Sequence, residues 1–237
     1  MRIGIFDSGL GGVNVLSSMI KKYPNNEYIY FGDTINLPYG NKEKKELLTL
    51  AKKAINFLIK KNVDIIIIAC GTISSNCYSE LTKEYKIPIY DIISPTINYL
   101  TNSNYQNIGV IGTIKTIESN IFNIPNKNIL MKKTPNLVPI IENNEIEKKQ
   151  KEIIKELQDF KNSDVLVLGC THYPLLKKII EKNLKIKTLD MGQIISETIN
   201  LTNNSQTLCE LYFSKIDRNL LINISHILDN NYNVYLK

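Results

Sequence analysis

Short apolar runs alternate with amphipathic segments along most of this chain. The runs Asp64–Ala69 and Asp164–Leu168 are apolar after their first residue, which is typical of parallel strands that are covered on both faces. Between Lys42 and Lys61, leucine, alanine and isoleucine recur at steps of three and four while the lysines fall on the opposite side, which predicts an amphipathic helix. The alternation predicts an α/β protein whose helices pack on parallel sheets.

The same pattern locates the other predicted elements. Polar stretches rich in Asn and Ser, at residues 93–107 and 201–208, are typical of segments that separate domains. Asp217 is a predicted N-cap, because its carboxylate can accept from the free amides at the start of a helix. The predicted strands are Arg2–Phe6, Tyr28–Phe31, Asp64–Ala69, Ile87–Ile92, Ile108–Ile111, Asp164–Leu168 and Lys187–Leu189, and the predicted helices besides Lys42–Lys61 are Val13–Lys22, Ser75–Tyr85, Glu145–Phe160, Pro174–Asn183, Ile194–Leu201 and Asp217–Leu228.

Composition restricts the class of protein. The 237 residues are 43% hydrophobic, which is enough for one large globular domain or two modest ones. The opening MRIGIF turns polar at Asp7, unlike a signal peptide, and no apolar run approaches the roughly 18 residues that a membrane span requires. We therefore expect a soluble, cytoplasmic protein without a membrane partner.

The positive charge does not indicate a nucleic-acid partner. The net charge is +6, but most lysines alternate with glutamates at helical spacing, as on solvated helix faces. A phosphate-binding surface would favour arginines and interleaved aromatic residues, and only Arg2 and Arg218 are present. We expect no nucleic-acid binding.

Two of the four cysteines occupy matching positions. Cys70 follows one apolar strand and precedes Gly71-Thr72, while Cys170 follows another and precedes Thr171-His172. Open parallel sheets place their ligand sites at the carboxyl ends of strands, so both thiols are candidates for proton transfer. A helix N-terminus, backbone amides or a neighbouring histidine can lower the pKa of such a thiol toward neutrality.

The other two cysteines and the second histidine are interpreted as structural. Cys77 and Cys209 lie on amphipathic segments, where a free cysteine usually acts as a small apolar residue. No CxxC pair or zinc-finger spacing is present, so no metal site is expected. His226 lies in the terminal amphipathic segment and is interpreted as structural or exposed.

Three loops carry further candidate residues. In IGIFDSGLGG, Asp7 ends a strand, and the glycines could allow positive φ and close approach of a ligand beside a helix N-terminus, although an ordinary βα turn is the alternative. In LPYG, Pro38 and Gly40 would present the Tyr39 hydroxyl rigidly, or form a turn with an exposed tyrosine. In VPIIE, Glu142 is interpreted as lying where a helix begins, which alone is weak evidence.

Taken together, these motifs resemble those of glutamate racemases in the cofactor-independent aspartate/glutamate racemase superfamily. FDSGLGG, FGDTINLPYG, Cys-x-Thr after a strand, GTIKTIES, VPIIE and LGCTHYPLL occur in the order of that family and span nearly the whole chain. The family normally has Asn where this chain has Gly71, and more often Ser where it has Met191.

The resemblance implies a fold and a mode of action. It implies two similar open-sheet α/β domains related by a pseudo-twofold, with the active site in the cleft between them. Residues 1–94 plus 206–237 would form the first domain and residues 95–205 the second. The enzyme would need no cofactor, would take glutamate as its small-molecule partner, would supply D-glutamate for peptidoglycan, and could form a homodimer.

The resemblance also implies roles for individual residues. Inverting a carbon requires one acid/base group on each face of the substrate, and the family uses two cysteines for this. The implied catalytic residues are Cys70, Cys170, Asp7, His172 and Glu142, and the implied substrate-binding residues are Ser8, Pro38, Tyr39, Gly40, Gly71, Thr72, Thr116 and Thr171.

Two alternatives stay open. Gly71 enlarges or alters the pocket, which would suit a racemase of aspartate or of another amino acid. It could instead mark a catalytically impaired homologue that binds an amino acid or a partner protein.

Overall fold

Two sheets of parallel strands organise the chain in a computed structural model that describes residues 1–202, 208–229 and 232–237. The first sheet has the order β10-β9-β2-β1-β3-β4 and the second the order β6-β5-β7-β8. The strands are β1 (Arg2–Asp7), β2 (Glu27–Gly32), β3 (Ile65–Ile68), β4 (Ile89–Asp91), β5 (Asn107–Gly112), β6 (Asn128–Lys133), β7 (Val165–Leu168), β8 (Lys187–Asp190), β9 (Leu208–Phe213) and β10 (Asn233–Leu236).

Helices connect the strands and cover the sheets. Short 3₁₀ turns at Thr34–Asn36, Tyr39–Asn41, Gln158–Asn162 and Tyr173–Leu176 supplement them. The helices are α1 (Gly12–Lys22), α2 (Lys44–Lys60), α3 (Gly71–Glu84), α4 (Ile93–Thr101), α5 (Ile114–Glu118), α6 (Leu137–Glu142), α7 (Gln150–Glu156), α8 (Lys177–Leu184), α9 (Met191–Thr198) and α10 (Arg218–Ile227).

The two sheets repeat one topology. In the first sheet, β1 lies between β2 and β3, and in the second sheet β5 lies between β6 and β7. The chain therefore switches direction across the sheet between β1 and β3, and again between β5 and β7. Such switch points open a crevice at the carboxyl ends of the strands. The predicted fold class, two similar open-sheet α/β domains, is confirmed.

The central strands are buried on both faces. Every residue of β3 and β7 is buried, as continuous Ile, Val and Leu runs predict for parallel strands under helices. Asp217 caps α10, accepting from the Leu220 amide at 2.9 Å, so the predicted N-cap is confirmed.

Several predicted boundaries were wrong. α3 begins at Gly71 rather than at Ser75, so its first turn directly follows Cys70. The predicted helix Glu145–Phe160 is reduced to α7 and a 3₁₀ turn. The polar stretch 93–107 contains α4 and the first residue of β5, and strands β6, β9 and β10 were not predicted.

The first sheet combines strands from both ends of the described chain. β9 pairs with β2 in parallel, and β10 extends that edge. The predicted domain boundary at residues 205/206, with most of the polar stretch 201–208, lies outside the described residues. Among the described helices, none is both long and apolar enough to span a membrane.

Candidate active site

A cavity of about 500 Å³ lies where the carboxyl ends of the two sheets face each other. Residues that follow β1, β3, β5 and β7 line its walls, and the loops after β2 and β6 complete it. Cys70 and Cys170 line this cavity from different sheets. The strand topology therefore brings together two thiols that lie far apart in the sequence.

Cys70 occupies the N-cap position of α3, where its thiol makes no capping hydrogen bond. Its thiol donates toward the Ser8 hydroxyl at 3.6 Å, and only 3% of the residue is exposed. Burial and the negative charge of Asp7 raise the pKa of the Cys70 thiol to about 12, although the Ile73 amide and the Ser8 hydroxyl favour the thiolate. The expected lowering toward neutrality is thus wrong for Cys70, because desolvation outweighs the helix N-terminus.

Cys170 is the first of three side chains that contact one another in a row. Its sulfur lies 3.7 Å from His172 Nδ1, and His172 Nε2 lies 2.9 Å from Glu142 Oε1. Burial of the imidazole opposes protonation, but the hydrogen bonds to Cys170 and Glu142 outweigh it and hold the pKa of His172 well above its usual range. A protonated His172 has both ring nitrogens as donors, one to each neighbour.

Glu142 lies at the end of a helix. It is the last residue of α6, so the interpretation that it lies where a helix begins was wrong. Its side chain is 30% exposed and lines the cavity, and its carboxylate is hydrogen-bonded to His172. Glu142 therefore orients His172 from the cavity wall.

Asp7 lies behind the cavity wall, fully buried. Its Oδ2 accepts from the amides of Gly9 and Gly12 at 3.1 and 2.9 Å. The anion bound at the N-terminus of α1 is therefore the Asp7 side chain and not a ligand. Its Oδ1 accepts from the Thr171 hydroxyl at 3.4 Å. Asp7 thus connects the loop beside Cys70 to the loop beside Cys170.

Two glycines allow the loops of the two domains to touch. A Cβ at Gly11 would lie 2.3 Å from Thr171 Oγ1, and a Cβ at Gly71 would lie 2.9 Å from the carbonyl oxygen of Gly169. Neither glycine has positive φ, so close approach explains both. The first atom of a side chain at Gly71 would therefore meet the opposite loop before it reached free space in the cavity.

The Tyr39 hydroxyl was expected to face the cavity, but it faces Asp33. It donates to Asp33 Oδ2 at 2.7 Å, and burial together with this hydrogen bond raises the pKa of Tyr39. Asp33 Oδ1 accepts from Ser214 at 3.0 Å, and both carboxylate oxygens accept from Asn36. The buried Asp33 carboxylate thus fastens the 33–41 loop to the end of β9, and Tyr39 helps to hold the backbone that lines the cavity.

A row of three threonine hydroxyls crosses between the two domains. Thr113 Oγ1 lies 3.0 Å from Thr72 Oγ1 and 2.9 Å from Thr116 Oγ1. Thr72 and Thr113 line the cavity, whereas Thr116 is fully buried and does not. Thr113 was not predicted from the sequence. Its position directly after β5, where ligand sites of parallel sheets lie, could have identified it.

The structure brings together most of the predicted site residues. Asp7 and Thr116 are packed behind the wall instead of on it. The other predicted residues line the cavity: Ser8, Pro38, Tyr39, Gly40, Cys70, Gly71, Thr72, Glu142, Cys170, Thr171 and His172. Besides Thr113, the unpredicted lining residues are Leu37, Asn41, Ile114, Pro135, Asn136, Val138, Pro139, Asn143 and Gly169.

Known proteins are similar to this chain in sequence and in fold. The family model described as Asp/Glu/Hydantoin racemase matches residues 30–199, which is more than half of the chain. The chain belongs to the Asp/Glu/hydantoin racemase family. A glutamate racemase of Hydrogenobaculum sp. (strain Y04AAS1) is 39% identical over 250 residues, covering 99% of this racemase and 95% of the relative.

Solved structures extend the likeness to three dimensions. The glutamate racemase of Aquifex pyrophilus has a TM-score of 0.82 at 34% identity, covering 100% of this racemase and 98% of that chain. The glutamate racemase of Francisella tularensis in complex with D-glutamate has a TM-score of 0.84 at 31% identity, with coverage of 100% and 96%. The racemase described here is therefore an isomerase with a two-domain α/β fold.

Proposed function

We propose that this racemase interconverts L- and D-glutamate without a cofactor, using Cys70 and Cys170 as two proton-transfer groups. The observation that carries the proposal is the placement of these thiols, one from each sheet, on the wall of one cavity. Relatives that are 39% and 37% identical over most of their length are glutamate racemases, which supports glutamate as the substrate.

The proton path follows from the surroundings of each thiol. With a pKa of about 12, Cys70 carries its proton near pH 7 and can act as an acid. In one direction, the Cys170 thiolate removes the proton from Cα and becomes a thiol. The carbanion then takes the Cys70 proton on its opposite face, which leaves Cys70 as a thiolate and inverts the carbon. The roles exchange in the reverse direction.

Other residues support this transfer. His172, held by Glu142, keeps a proton within reach of Cys170, while Asp7 fixes the loops beside both thiols. Amides and hydroxyls from both domains would bind the substrate carboxylates, and a desolvated cleft strengthens each such interaction.

The decisive experiment removes one thiol at a time. Wild-type protein is expected to change the circular dichroism of either glutamate enantiomer and to exchange its α-proton for solvent deuterium. Cys70→Ala and Cys170→Ala are expected to slow racemisation by about 10²–10⁴-fold, the usual contribution of an acid/base group.

Cys77 and Cys209 provide matched controls. Both are buried free thiols outside the cavity, so Cys77→Ala and Cys209→Ala should racemise at nearly the wild-type rate. Wild-type turnover of aspartate with none of glutamate would contradict the choice of substrate. Undiminished racemisation by either cavity variant would contradict the two-thiol mechanism.

We further propose that the reaction occurs in the cytoplasm and supplies D-glutamate for peptidoglycan. The four described cysteines are free thiols, the form that a reducing compartment maintains. Expression in a bacterial strain that requires D-glutamate should restore growth, and Cys170→Ala should not. Homodimer formation stays a prediction, which sedimentation velocity would test.

A further inference from the structure

The side chain of Asn14 joins the two domains outside the cavity wall. Asn14 lies in the first turn of α1, and its Nδ2 donates to the Gly11 carbonyl at 3.1 Å and to the Thr171 carbonyl at 2.8 Å. Both partners are carbonyl oxygens, so only the amide nitrogen can face them, and its two N–H groups supply one hydrogen bond to each. One side-chain amide therefore holds the turn after β1 against the turn after β7.

The Thr171 carbonyl is a sensitive place for such a hydrogen bond, because Thr171 separates Cys170 from His172. These three residues lie outside helices and strands. The Thr171 hydroxyl supplies a second link to the first domain, but at 3.4 Å from Asp7 Oδ1 it is longer than a normal hydroxyl hydrogen bond. The 2.8 Å bond from Asn14 is therefore the stronger of these two links.

His172 has little room to move independently of this link. A Cβ at Gly11 would lie 2.6 Å from His172 Nδ1 and 2.8 Å from the His172 amide nitrogen, so the turn after β1 packs directly on the histidine. His172 Nδ1 in turn lies 3.7 Å from the Cys170 sulfur. A shift of the Thr171 carbonyl would move the backbone on both sides of it and lengthen this contact.

We propose that Asn14 is a positioning residue for Cys170, because its hydrogen bond to the Thr171 carbonyl fixes the contact between the Cys170 sulfur and His172. Asn14 does not line the cavity, so it acts through the loop that carries Cys170 and not on the substrate. The proton-transfer role of Cys170 rests on the proposed function, whereas the reactivity of its thiol can be measured without substrate.

The test removes the amide donors of Asn14 in the whole chain. Asn14→Leu has a side chain of similar size without a donor, and Asn14→Asp keeps the shape but turns a carboxylate toward two carbonyl oxygens. A protonated His172 close to the sulfur favours the thiolate, which is the reactive form. In both variants, iodoacetamide should therefore alkylate Cys170 at pH 7 about fivefold more slowly than in wild type, as mass spectrometry of the Cys170 peptide measures.

Turnover gives a second readout. In both variants kcat should fall about tenfold with KM within about twofold of wild type, because misplaced reacting groups slow the chemical step while the residues that line the cavity are unchanged. A merely structural role for Asn14 would lower the free energy of unfolding in urea without changing Cys170 alkylation in the folded protein.

Asn76→Leu is the matched control. Asn76 makes the corresponding link from α3, since its Nδ2 donates to the Thr72 carbonyl at 2.9 Å and to the Lys115 carbonyl of the second domain at 3.2 Å. Its replacement also removes a polar link between the domains but leaves the loop that carries Cys170 in place. Cys170 in Asn76→Leu should therefore be alkylated at the wild-type rate.

The outcomes separate this inference from the proposed function. Unchanged or faster alkylation of Cys170 in either folded Asn14 variant would overturn the inference, even if the wild type racemises glutamate. Equal slowing in Asn76→Leu would attribute the effect to general loosening of the domains and would overturn it too. A wild type that does not racemise glutamate would overturn the proposed function, while the alkylation rates still decide the inference.

Discussion

At the scale of single residues, the site depends on contacts that small changes can break. The Glu142–His172 pair is one example, because hydrogen bonding and charge together keep a buried imidazole protonated. A folded-state pKa above the unfolded value of about 6.5 stabilises the fold below pH 6.5. That contribution disappears as the pH rises through the folded-state pKa.

Glu142→Gln should therefore destabilise the protein more at pH 6 than at pH 10. The expected loss at pH 6 is about 1–2 kcal/mol, because the hydrogen bond is charged but Glu142 is partly exposed to screening water. Urea unfolding at both pH values measures it. Glu118→Gln, which removes an exposed partner of Lys133, is the control and should show no such difference. An equal loss at both pH values would mean that the charge of His172 does not change between them, contrary to this prediction.

Gly71 is the second example, since its contact with Gly169 determines how closely the two thiol loops approach. Gly71→Ala should lower kcat/KM about tenfold, because displaced reacting groups lose their alignment. Stability should fall by about 1–3 kcal/mol from overpacking. Steady-state kinetics and urea unfolding measure the two effects.

Gly4→Ala is the matched control for crowding. Its Cβ would meet flexible side-chain atoms of Val63 and Leu58 at 3.1 and 3.2 Å, inside the first domain and away from the cavity. It should cost stability but leave kcat/KM unchanged. If Gly71→Ala retained full kcat/KM, the contact between the loops would have no bearing on catalysis.

At the scale of elements, the 33–41 loop owes its shape to the buried Asp33 carboxylate. Tyr39→Phe removes one donor from that carboxylate and should lower the free energy of unfolding by about 1–3 kcal/mol. Racemisation should persist with a raised KM, because the hydroxyl faces Asp33 and not the substrate. Tyr173→Phe removes a buried hydroxyl that contacts Thr134 in the second domain, and should cost stability without changing KM. Abolished turnover at unchanged stability would instead place the Tyr39 hydroxyl on the substrate.

The elements also show how far sequence alone could predict the fold. The buried strands β3 and β7 were predictable, because a strand covered on both faces must be apolar throughout. The edge strand β6 has no fully buried residue, so its sequence NILMKK carries no comparable signal, and only its pairing with β5 makes it a strand. α3 was predicted to begin too late, since glycine and threonine in its first turn are weak helix formers.

Prediction of the site had a similar limit. Cys70 and Cys170 could be predicted because strand ends converge at the carboxyl edge of a parallel sheet. Thr113 and Thr116 occur in one motif, and the sequence does not reveal which one faces the cavity. That depends on α5, where Thr113 is the N-cap and Thr116 points inward from the first turn. The Asp33–Ser214 contact joins residues 181 positions apart, which local patterns do not report.

At the scale of the whole molecule, the cavity lies between two domains that share an apolar core and are joined by polar contacts besides Thr171–Asp7 and Thr72–Thr113. Asn14 donates to the Thr171 carbonyl at 2.8 Å, Asn76 donates to the Lys115 carbonyl at 3.2 Å, and Lys115 forms an exposed ion pair with Glu43. An exposed ion pair contributes about 0–1 kcal/mol. A ligand that contacts both walls should add further contacts between the two domains.

D-Glutamate should stabilise the whole chain against unfolding by about 2.7 kcal/mol at a concentration of 100 Kd, as linkage requires for a ligand that binds only the folded state. Urea unfolding with and without glutamate measures this gain. The Cys70→Ala/Cys170→Ala double variant should retain most of it while losing turnover, because amides and hydroxyls bind the carboxylates. Glutarate, which has both carboxylates but lacks the amino group, should stabilise less at the same concentration. If sulfate at that concentration stabilised the chain as much as glutamate does, the cavity would be a general anion site and would not select an amino acid.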